Sequence, residues 1–166
     1  MKNPEPSLIA RIADLLEYKA DEGVFLWKIS PSYRVSAGMV AGHLHASGYV
    51  HLQIANRQIA AHRVAWALIH GEWPKNQIDH IDGNKSNNRI VNLRDIGAKE
   101  NTQNQRRCKS SNLSSGLLGV SRNRDKWQAQ IKTGGVRVHI GTYDTPQLAH
   151  LAYLEAKRLA HPSCTI

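Results

Sequence analysis

Residues 76–104 read NQIDHIDGNKSNNRIVNLRDIGAKENTQN, and this stretch decides the fold of the segment around it. It places an aspartate directly before a histidine, Asp79-His80, and follows them with many carboxamide side chains. Imidazole titrates near neutral pH and can accept a proton from water. Carboxylate and amide oxygens are the ligands that a hard cation such as Mg²⁺ prefers. The stretch therefore contains the groups that phosphodiester hydrolysis needs, but composition alone does not bring them together.

The segments around this stretch differ in their periodicity. Residues 62–70 carry apolar side chains at helical spacing, and Gly71 is a natural C-terminal stop for a helix. Residues 76–96 are polar around two short apolar patches, which predicts a loop. Residues 97–108 predict a polar helix.

The N-terminal part predicts one helix and several short strands. Residues 7–19 have apolar side chains at helical spacing after two prolines. The runs Val24–Ile29, Tyr49–Ile54 and Gln58–Ala61 are β-prone and are separated by Gly, Ser, Asn and Pro. We expect small antiparallel strands there.

The C-terminal part predicts a second module after a Ser-rich segment. Lys109–Gly116 (KSSNLSSG) has almost no core residues and is the best domain boundary. Thr145 is the expected N-cap of a helix that has Pro146 at its first position and runs to about His161. The predicted strands before it are Leu117–Ser121, Lys126–Lys132 and Val136–Ile140.

Alternation along these strands predicts a sheet with one polar face and one face covered by the helix. The outward set is Lys126, Gln128, Gln130, Lys132, Arg137 and His139. The inward set is Trp127, Ala129, Ile131, Val136, Val138 and Ile140. The helix is expected to face the sheet with a stripe made of Leu148, Leu151, Ala152 and Leu159, and the small residues Ala149, Ala156 and Ala160 beside it should let the helix lie close to the sheet.

The charge of the chain points to a polyanionic partner. Its 166 residues contain 22 Lys and Arg against 13 Asp and Glu, a formal net charge of +9. Such an excess is most often found in nucleic-acid-binding proteins. Two cysteines are too few for a disulfide scaffold, and we expect neither a membrane span nor a signal peptide.

The central segment resembles the His-Asn-His (HNH) endonuclease family, in the phage homing branch in which the last His is Asn. The resemblance covers about residues 24–110. The residues that carry it are His62-Arg63, Trp66, Gly71, Trp73-Pro74, Asp79-His80-Ile81-Asp82-Gly83-Asn84, Asn87-Asn88-Arg89, Asn92-Leu93-Arg94 and Glu100-Asn101.

This resemblance implies a ββα-metal module and a role for each of four residues. Asp79 and Asn101 match the metal ligands, and His80 matches the general base. Asn92 matches the middle asparagine, which orients the base and holds the loop. The implied cofactor is one Mg²⁺, or Mn²⁺, per active site, and each site is expected to nick one DNA strand.

The C-terminal module resembles the plant Apetala-two/ethylene-response-factor DNA-binding domain. The matching residues are Gly119-Val120, Lys126-Trp127, Ala129, Ile131, Arg137 to Thr145, Ala149, Ala152-Tyr153 and Ala156. The resemblance implies DNA contacts from Arg122, Arg124, Lys126, Gln128, Gln130, Lys132, Arg137 and His139. The chain departs from the family at Ser121, which replaces a contacting Arg, and at His139, which replaces a Trp.

Three further cations, Arg106, Arg107 and Lys109, close the polar helix predicted over residues 97–108 and enter the linker. Together with the cations between Arg122 and Lys132 they predict a stripe that follows the DNA backbone.

Other metal sites explain the pattern less well. Asp82, Asn84 and Ser86 alternate as in a calcium-binding loop, but Asn87 stands where that loop needs Gly and Leu93 where it needs Glu. A zinc site would have to use histidines such as His43, His45 and His51, which have no matching Cys or His pair.

The sequence leaves both a structural and a binding role open for one histidine and two arginines. His62 is interpreted as a structural contact at a helix N-terminus, with phosphate binding as the alternative. Arg89 and Arg94 flank the loop, and either phosphate contact or plain solvation explains them.

The sequence thus predicts an α+β protein with two modules. Residues 1–109 form the nuclease module with its core at about 62–109, residues 110–116 the linker and residues 117–166 the DNA-binding module. The expected function is a metal-dependent endonuclease on double-stranded DNA, phage- or prophage-encoded, of homing or free-standing type. We expect a monomer or weak dimer in the cytoplasm of a bacterial host, without an obligate protein partner. The alternatives are a DNA-binding regulator with a decayed nuclease site and an RNA-binding or scaffold protein.

Overall fold

The computed structural model describes residues 6–103, 108 and 114–161. The chain divides into two compact units, Met1–Gly97 and Ala98–Ile166. The helices are α1 (Pro6–Leu15), α2 (Ala61–His70), α3 (Ala98–Gln103), α4 (Pro146–Ala160) and a short 3₁₀ helix (Ile90–Asn92). The strands of the first unit are β1 (Leu16–Lys19), β2 (Val24–Trp27), β3 (Val40–Ala41), β4 (His43–Leu44), β5 (Val50–Ile54), β6 (Arg57–Ala60), β7 (Gln77–His80) and β8 (Leu93–Ile96). The second unit contains β9 (Val120–Asn123), β10 (Lys126–Thr133) and β11 (Val136–Tyr143).

The first unit is a mixture of small antiparallel sheets and helices, in keeping with the predicted α+β class. Its sheets have the strand orders β1-β2-β3, β4-β5-β6 and β7-β8. They share one apolar core with α1 and α2, in which Ile12, Phe25 and Val64 are almost fully buried. Gly71 ends α2 in a left-handed conformation, and its N–H donates to the Ala67 carbonyl. The structure therefore confirms the predicted end of this helix.

The predicted helix over residues 7–19 is wrong at its C-terminal end. The chain leaves the helix at Leu15 and continues directly into β1. Strand pairing overrides the helical pattern there, because β1 pairs with β2 from Leu16↔Trp27 onwards. The Tyr18 and Phe25 rings stack at 4.7 Å across this pair.

The predicted loop over residues 76–96 is also wrong in part, because it contains the strand pair β7-β8. Alternation places Ile78 and His80 on the buried side of β7. The pattern was hidden in the sequence because a histidine, normally read as polar, occupies one of the two buried positions.

The second unit carries a three-stranded antiparallel sheet with the order β11-β10-β9 and helix α4 packed against it. The Thr145 hydroxyl accepts a hydrogen bond from the Leu148 N–H at 3.3 Å, so the predicted N-cap is confirmed. Gly119 lies at φ 75°, and a Cβ atom there would collide with the Tyr153 ring. The sheet and the helix can approach closely only because this position is glycine.

The face of α4 that packs on the sheet differs in part from the predicted one, since Ala149 is buried as expected but the leucines are not. Ala149, Tyr153 and Lys157 are buried, whereas Leu148, Leu151 and Leu159 are exposed. The Tyr153 ring supplies the bulk that the leucines were expected to supply.

The inward positions Val136 and Val138 are likewise exposed, at 65% and 43%. Val136 lies beside the turn that joins β10 to β11, and Val138 is exposed although its partner across the strands, Ile131, is buried. Within the described residues, none of the helices combines the length and the hydropathy that crossing a bilayer requires.

Candidate nuclease site and nucleic-acid interface

The strand pair β7-β8 holds the predicted aspartate and histidine. Asp79 is paired with Arg94 and His80 with Leu93 in the antiparallel register. Since Ile78 and Leu93 belong to the core, the backbone at the Asp79-His80 pair is fixed by burial. Adjacent strand residues point to opposite sides, so His80 is directed inward and Asp79 away from it.

The Asp79 carboxylate forms a close ion pair with Arg94. Arg94 Nε and Nη2 donate to Asp79 Oδ2 at 2.9 and 2.7 Å. The two side chains are 11% and 24% exposed, so water screens this pair only in part. Neither role considered for Arg94 included this partner. A basic residue opposite an acidic one in a hairpin register was the signal available in the sequence.

The loop between β7 and β8 is closed by its own carboxylate and amide groups. Asn92 Oδ1 accepts from the Asp82 N–H, and Asn92 Nδ2 donates to Asp82 Oδ1 and to the Asn87 carbonyl. Asn87 Nδ2 also donates to Asp82 Oδ2 at 2.7 Å. Burial alone would raise the pKa of Asp82, but these bonds and the Asn84 N–H together lower it. Asn92 thus joins the two ends of the loop, while its effect on the base stays a prediction.

His80 is the most buried titratable group of this loop region, at 4% exposure. Burial lowers its pKa below the ordinary 6.5, although the Asn88 hydrogen bond and the charges of Asp82 and Asp79 oppose this shift. The ring is therefore neutral at physiological pH and able to accept a proton.

Asn88 is a site residue to which the sequence assigned no role. It is 1% exposed, and its Oδ1 lies 3.4 Å from His80 Nε2. Its Nδ2 donates to the Ser86 carbonyl at 3.1 Å, which turns Oδ1 toward the histidine. Only its place in the Asn-Asn pair at 87–88 could have drawn attention to it.

The hairpin β1-β2 contacts the backbone of Asn88 and holds it in place. The Tyr18 hydroxyl donates to the Asn88 carbonyl at 2.6 Å, and the Ile90 N–H donates to the Ala20 carbonyl. Gly23, at φ 74°, lies against this segment, and a Cβ there would be 2.5 Å from the Arg89 backbone nitrogen. The turn of this hairpin is therefore shaped to hold the backbone that carries Asn88.

His62 lies near the start of α2 and contacts His80. It is buried, in agreement with the structural interpretation, and its ring centroid is 5.2 Å from that of His80. Burial lowers the pKa of His62 to about 3, with smaller contributions from His80, Arg63 and His51.

The residues predicted to hold a cation fit a hard metal ion by their chemistry. Asp79 offers carboxylate oxygens and Asn101 an amide oxygen, the donor types that Mg²⁺ takes together with water. Asn101 lies on α3 in the second unit, and its partnership with Asp79 stays a prediction. The described part of the chain has no group of three or more His, Cys, Asp or Glu side chains that could hold a metal ion. The histidines His43, His45 and His51 thus form no such group.

The outward face of the second unit carries most of the predicted DNA contacts. Lys132 is paired with Arg137, Gln130 with His139 and Gln128 with Thr142. A register shift next to Ala129 keeps both His139 and Thr142 on this side. Gln128 Nε2 lies 2.7 Å from His139 Nδ1, so these two side chains form one polar unit.

Three predicted cations differ in their surroundings. Lys126 forms an exposed ion pair with Asp144 at 3.0 Å. Arg122 is paired with Trp127, which places it on the side of the sheet that α4 covers and not on the exposed face from which the family resemblance implies DNA contacts. Arg124 lies in the turn at φ 53°. The register was not visible in the sequence because β9 begins three residues later than predicted.

Arg106, Arg107 and Lys109, the predicted basic stripe, lie outside the described residues.

Comparison with known proteins identifies the central segment. Residues 60–103 match the HNH endonuclease family. Over 101 residues the chain is 33% identical to Protein 3.8 of Escherichia phage T7, and this alignment covers 59% of the chain and 82% of the phage protein. No solved structure matches the chain at a significant level. A relative of this identity and coverage, together with a family match over the segment that holds His80, shows that the chain belongs to the HNH endonuclease family.

Proposed function

We propose that this protein is a divalent-metal-dependent DNA endonuclease that nicks one strand per active site. The observation that carries the proposal is His80: a buried, neutral imidazole beside Asp79, within the residues that match the HNH family. The phage relative supports a phage or prophage origin. A homing or free-standing type is proposed from the resemblance of the motif alone. The proposed place of action is the cytoplasm of the bacterial host, as a monomer or weak dimer.

His80 is the proposed general base. The Asn88 amide presents its oxygen to Nε2, because its nitrogen is engaged by the Ser86 carbonyl. An acceptor at Nε2 favours the tautomer with the proton on that atom. Nδ1 then carries the lone pair that takes the proton from the attacking water.

Asp79 and Asn101 are the proposed ligands of one Mg²⁺ or Mn²⁺. When bound, such an ion offsets the charge that develops on the phosphate and on the leaving oxygen. Arg94 fixes the Asp79 carboxylate in orientation through two hydrogen bonds to one oxygen. Asn92 keeps the loop that follows His80 closed.

The second unit is proposed to dock on the duplex through its outward sheet face, in the manner of the Apetala-two/ethylene-response-factor domain. Exposed cations at Lys132 and Arg137 lie opposite each other, and the Gln128–His139 pair lies beside them. Strands of this kind can enter the major groove. Arg106, Arg107, Lys109 and Arg124 would add backbone contacts, and Lys126 would have to exchange Asp144 for phosphate.

A plasmid relaxation assay tests the nuclease proposal. We expect supercoiled DNA to become nicked with Mg²⁺ or Mn²⁺, and chelation to stop the reaction. His80→Ala is expected to reduce the rate by about 10²–10⁴-fold, since it removes the proton acceptor. Asn101→Ala is expected to lower activity and to require more metal.

His70→Ala is the matched control for His80→Ala, because His70 is an exposed histidine of the same unit. It should cut like the wild type. Supercoiled DNA that stays intact with every common divalent ion would contradict the nuclease function. Intact DNA binding in the absence of any cutting would favour the regulator alternative.

A further inference from the structure

Three aromatic rings meet at His80 in the first unit. The ring centroids of Tyr49 and His62 are 5.1 Å apart, those of Tyr49 and His80 5.9 Å, and those of His62 and His80 5.2 Å. The His62 and His80 planes stand at 82° to each other, an edge-to-face arrangement. Each ring therefore contacts the other two, which is a favourable packing for aromatic side chains.

His62 contributes to this cluster through its ring. It is 9% exposed, and its Nδ1 is buried without a hydrogen-bond partner. A buried nitrogen that makes no bond neither caps the helix nor links polar groups. Because the ring is also held neutral by burial, it places no positive charge beside His80.

Tyr49 is itself held by the loop that follows His80. The Lys85 ammonium lies 4.7 Å from the centre of the Tyr49 ring, and it donates to the Ser47 carbonyl at 3.0 Å. The turn between β4 and β5 is thus attached to the loop between β7 and β8. His80 consequently has two kinds of neighbour: Asn88 at Nε2, and the rings of Tyr49 and His62.

An imidazole needs such contacts if it is to serve as a base at a fixed place. The χ2 torsion of histidine, about the Cβ–Cγ bond, has a broad energy minimum. Without contacts to other groups, the ring is therefore free to turn about this bond. A ring that rotates by half a turn places the carbon Cδ2 where Nδ1 was and the carbon Cε1 where Nε2 was, so the basic nitrogen leaves its place and the Asn88 oxygen loses its N–H partner. A small misplacement of a reacting group is enough to slow an enzyme strongly.

We infer that His62, backed by Tyr49, is a positioning residue that fixes the ring of the general base His80 by edge-to-face contact. The expected effect on kcat rests on the proposed nuclease function. The fixed orientation of His80 is a property of the folded protein and can be measured without any reaction.

The kinetic experiment compares His62→Ala, which removes the ring, with His62→Phe, which keeps a ring and removes both nitrogens. His62→Ala is expected to lower kcat by about tenfold to a hundredfold, with KM and the Kd for DNA unchanged. His62→Phe is expected to restore most of that loss. His70→Ala, on the same helix but exposed, is the control and should behave as wild type.

Nitrogen-15 NMR of the histidine rings in the full-length protein gives the second readout. In the wild type, His80 should show one tautomer, with separate shifts for a protonated and an unprotonated nitrogen. In His62→Ala the two shifts should move toward their average. If His62→Ala does not fold, His62→Leu supplies the ringless comparison.

The outcomes separate the two proposals. A wild type that never cuts DNA, with a single His80 tautomer that is lost in His62→Ala, refutes the nuclease function and supports the positioning role. A folded His62→Ala that keeps both kcat and the single tautomer overturns the inference. Equal loss of kcat in His62→Ala and His62→Phe overturns it as well, since the ring would then be irrelevant.

Discussion

Burial sets the chemistry of single residues in this protein. His62 and His80 are both enclosed in the first unit, and desolvation is the largest cause of the lowered pKa of each. They differ in their hydrogen bonds, because His80 has Asn88 whereas Nδ1 of His62 has no partner. His80 is thus suited to the proposed role of a base, whereas His62 is suited to the proposed role of a packing partner.

Asn88→Asp is expected to shift the pH dependence of cutting. A carboxylate beside Nε2 stabilises the imidazolium, so the pKa of His80 rises. The base must be unprotonated to act, and the acid side of the kcat profile therefore moves to higher pH. Nicking rates measured between about pH 5.5 and about pH 8.5 should show the largest loss at the acid end. Asn84→Asp, with the same charge change in the exposed part of the loop, should leave the profile in place.

His62 is expected to make stability depend on pH. Its pKa is about 3 in the folded protein, against 6.5 for an exposed histidine. Between these two values the unfolded chain binds a proton that the folded protein excludes. Stability should therefore fall as the pH drops below 6.5, by about 1.4 kcal/mol per pH unit, and the effect is absent above that pH.

Urea unfolding at several pH values measures this slope. His62→Phe should unfold with a smaller dependence on pH than the wild type, because it removes the group that titrates. Equal slopes for the two proteins would show that His62 is accessible to protons in the folded state.

At the scale of elements, turns and short strands position the site more than helices do. The hairpin β1-β2 supports Asn88, and the turn between β4 and β5 brings Tyr49 to His80. Thr145 followed by Pro146 predicted the cap, and apolar spacing predicted α2 and the three strands of the second unit. It could not predict β7 or the end of α1, because strand pairing and a buried histidine decide those elements.

Gly23→Ala tests the support that the hairpin gives to Asn88. The new Cβ would meet the backbone of Asn88 and Arg89, which cannot move without disturbing the site. We expect a loss of on the order of 3 kcal/mol in stability, together with reduced nicking.

Gly38→Ala is its matched control. Gly38 also has a positive φ, of 85°, but a Cβ there meets nothing within 4 Å. Backbone strain alone should cost about 1 kcal/mol, as measured by thermal unfolding, and leave nicking unchanged. A Gly23→Ala protein as stable and as active as Gly38→Ala would contradict the role of this turn.

At the scale of the whole molecule, the positive charge falls in part on the outward sheet face of the second unit. The sequence predicted this face by alternation, and the register confirms it for Lys132, Arg137 and His139. Arg122, which the family resemblance includes among the DNA contacts, lies on the other side of the sheet because it pairs with Trp127. The adjacent Asp-His pair and the resemblance to the HNH family singled out Asp79 and His80, whereas Asn88, Tyr49 and the partner of Arg94 required the folded chain.

The double variant Lys132→Ala/Arg137→Ala tests the proposed docking face. If the two cations bind phosphate as proposed, removing them should weaken duplex binding and lower the salt slope of log K by about two. Fluorescence anisotropy over a range of salt concentrations measures both. Arg158→Ala, an exposed cation on α4, should keep nearly the wild-type slope. A double variant with unchanged affinity and salt slope would show that DNA does not bind to this face of the sheet.

The Asp79–Arg94 pair has a consequence for how the protein withstands changing surroundings. In a partly buried site, burial would disfavour the charge of an unpaired Asp79 carboxylate after removal of the proposed ion, but the Arg94 guanidinium already balances this charge. The fold is therefore expected to tolerate chelators such as EDTA during purification and storage without unfolding. Returning Mg²⁺ should then restore cutting at once, because the proposed ion takes part in the reaction and does not hold the fold together.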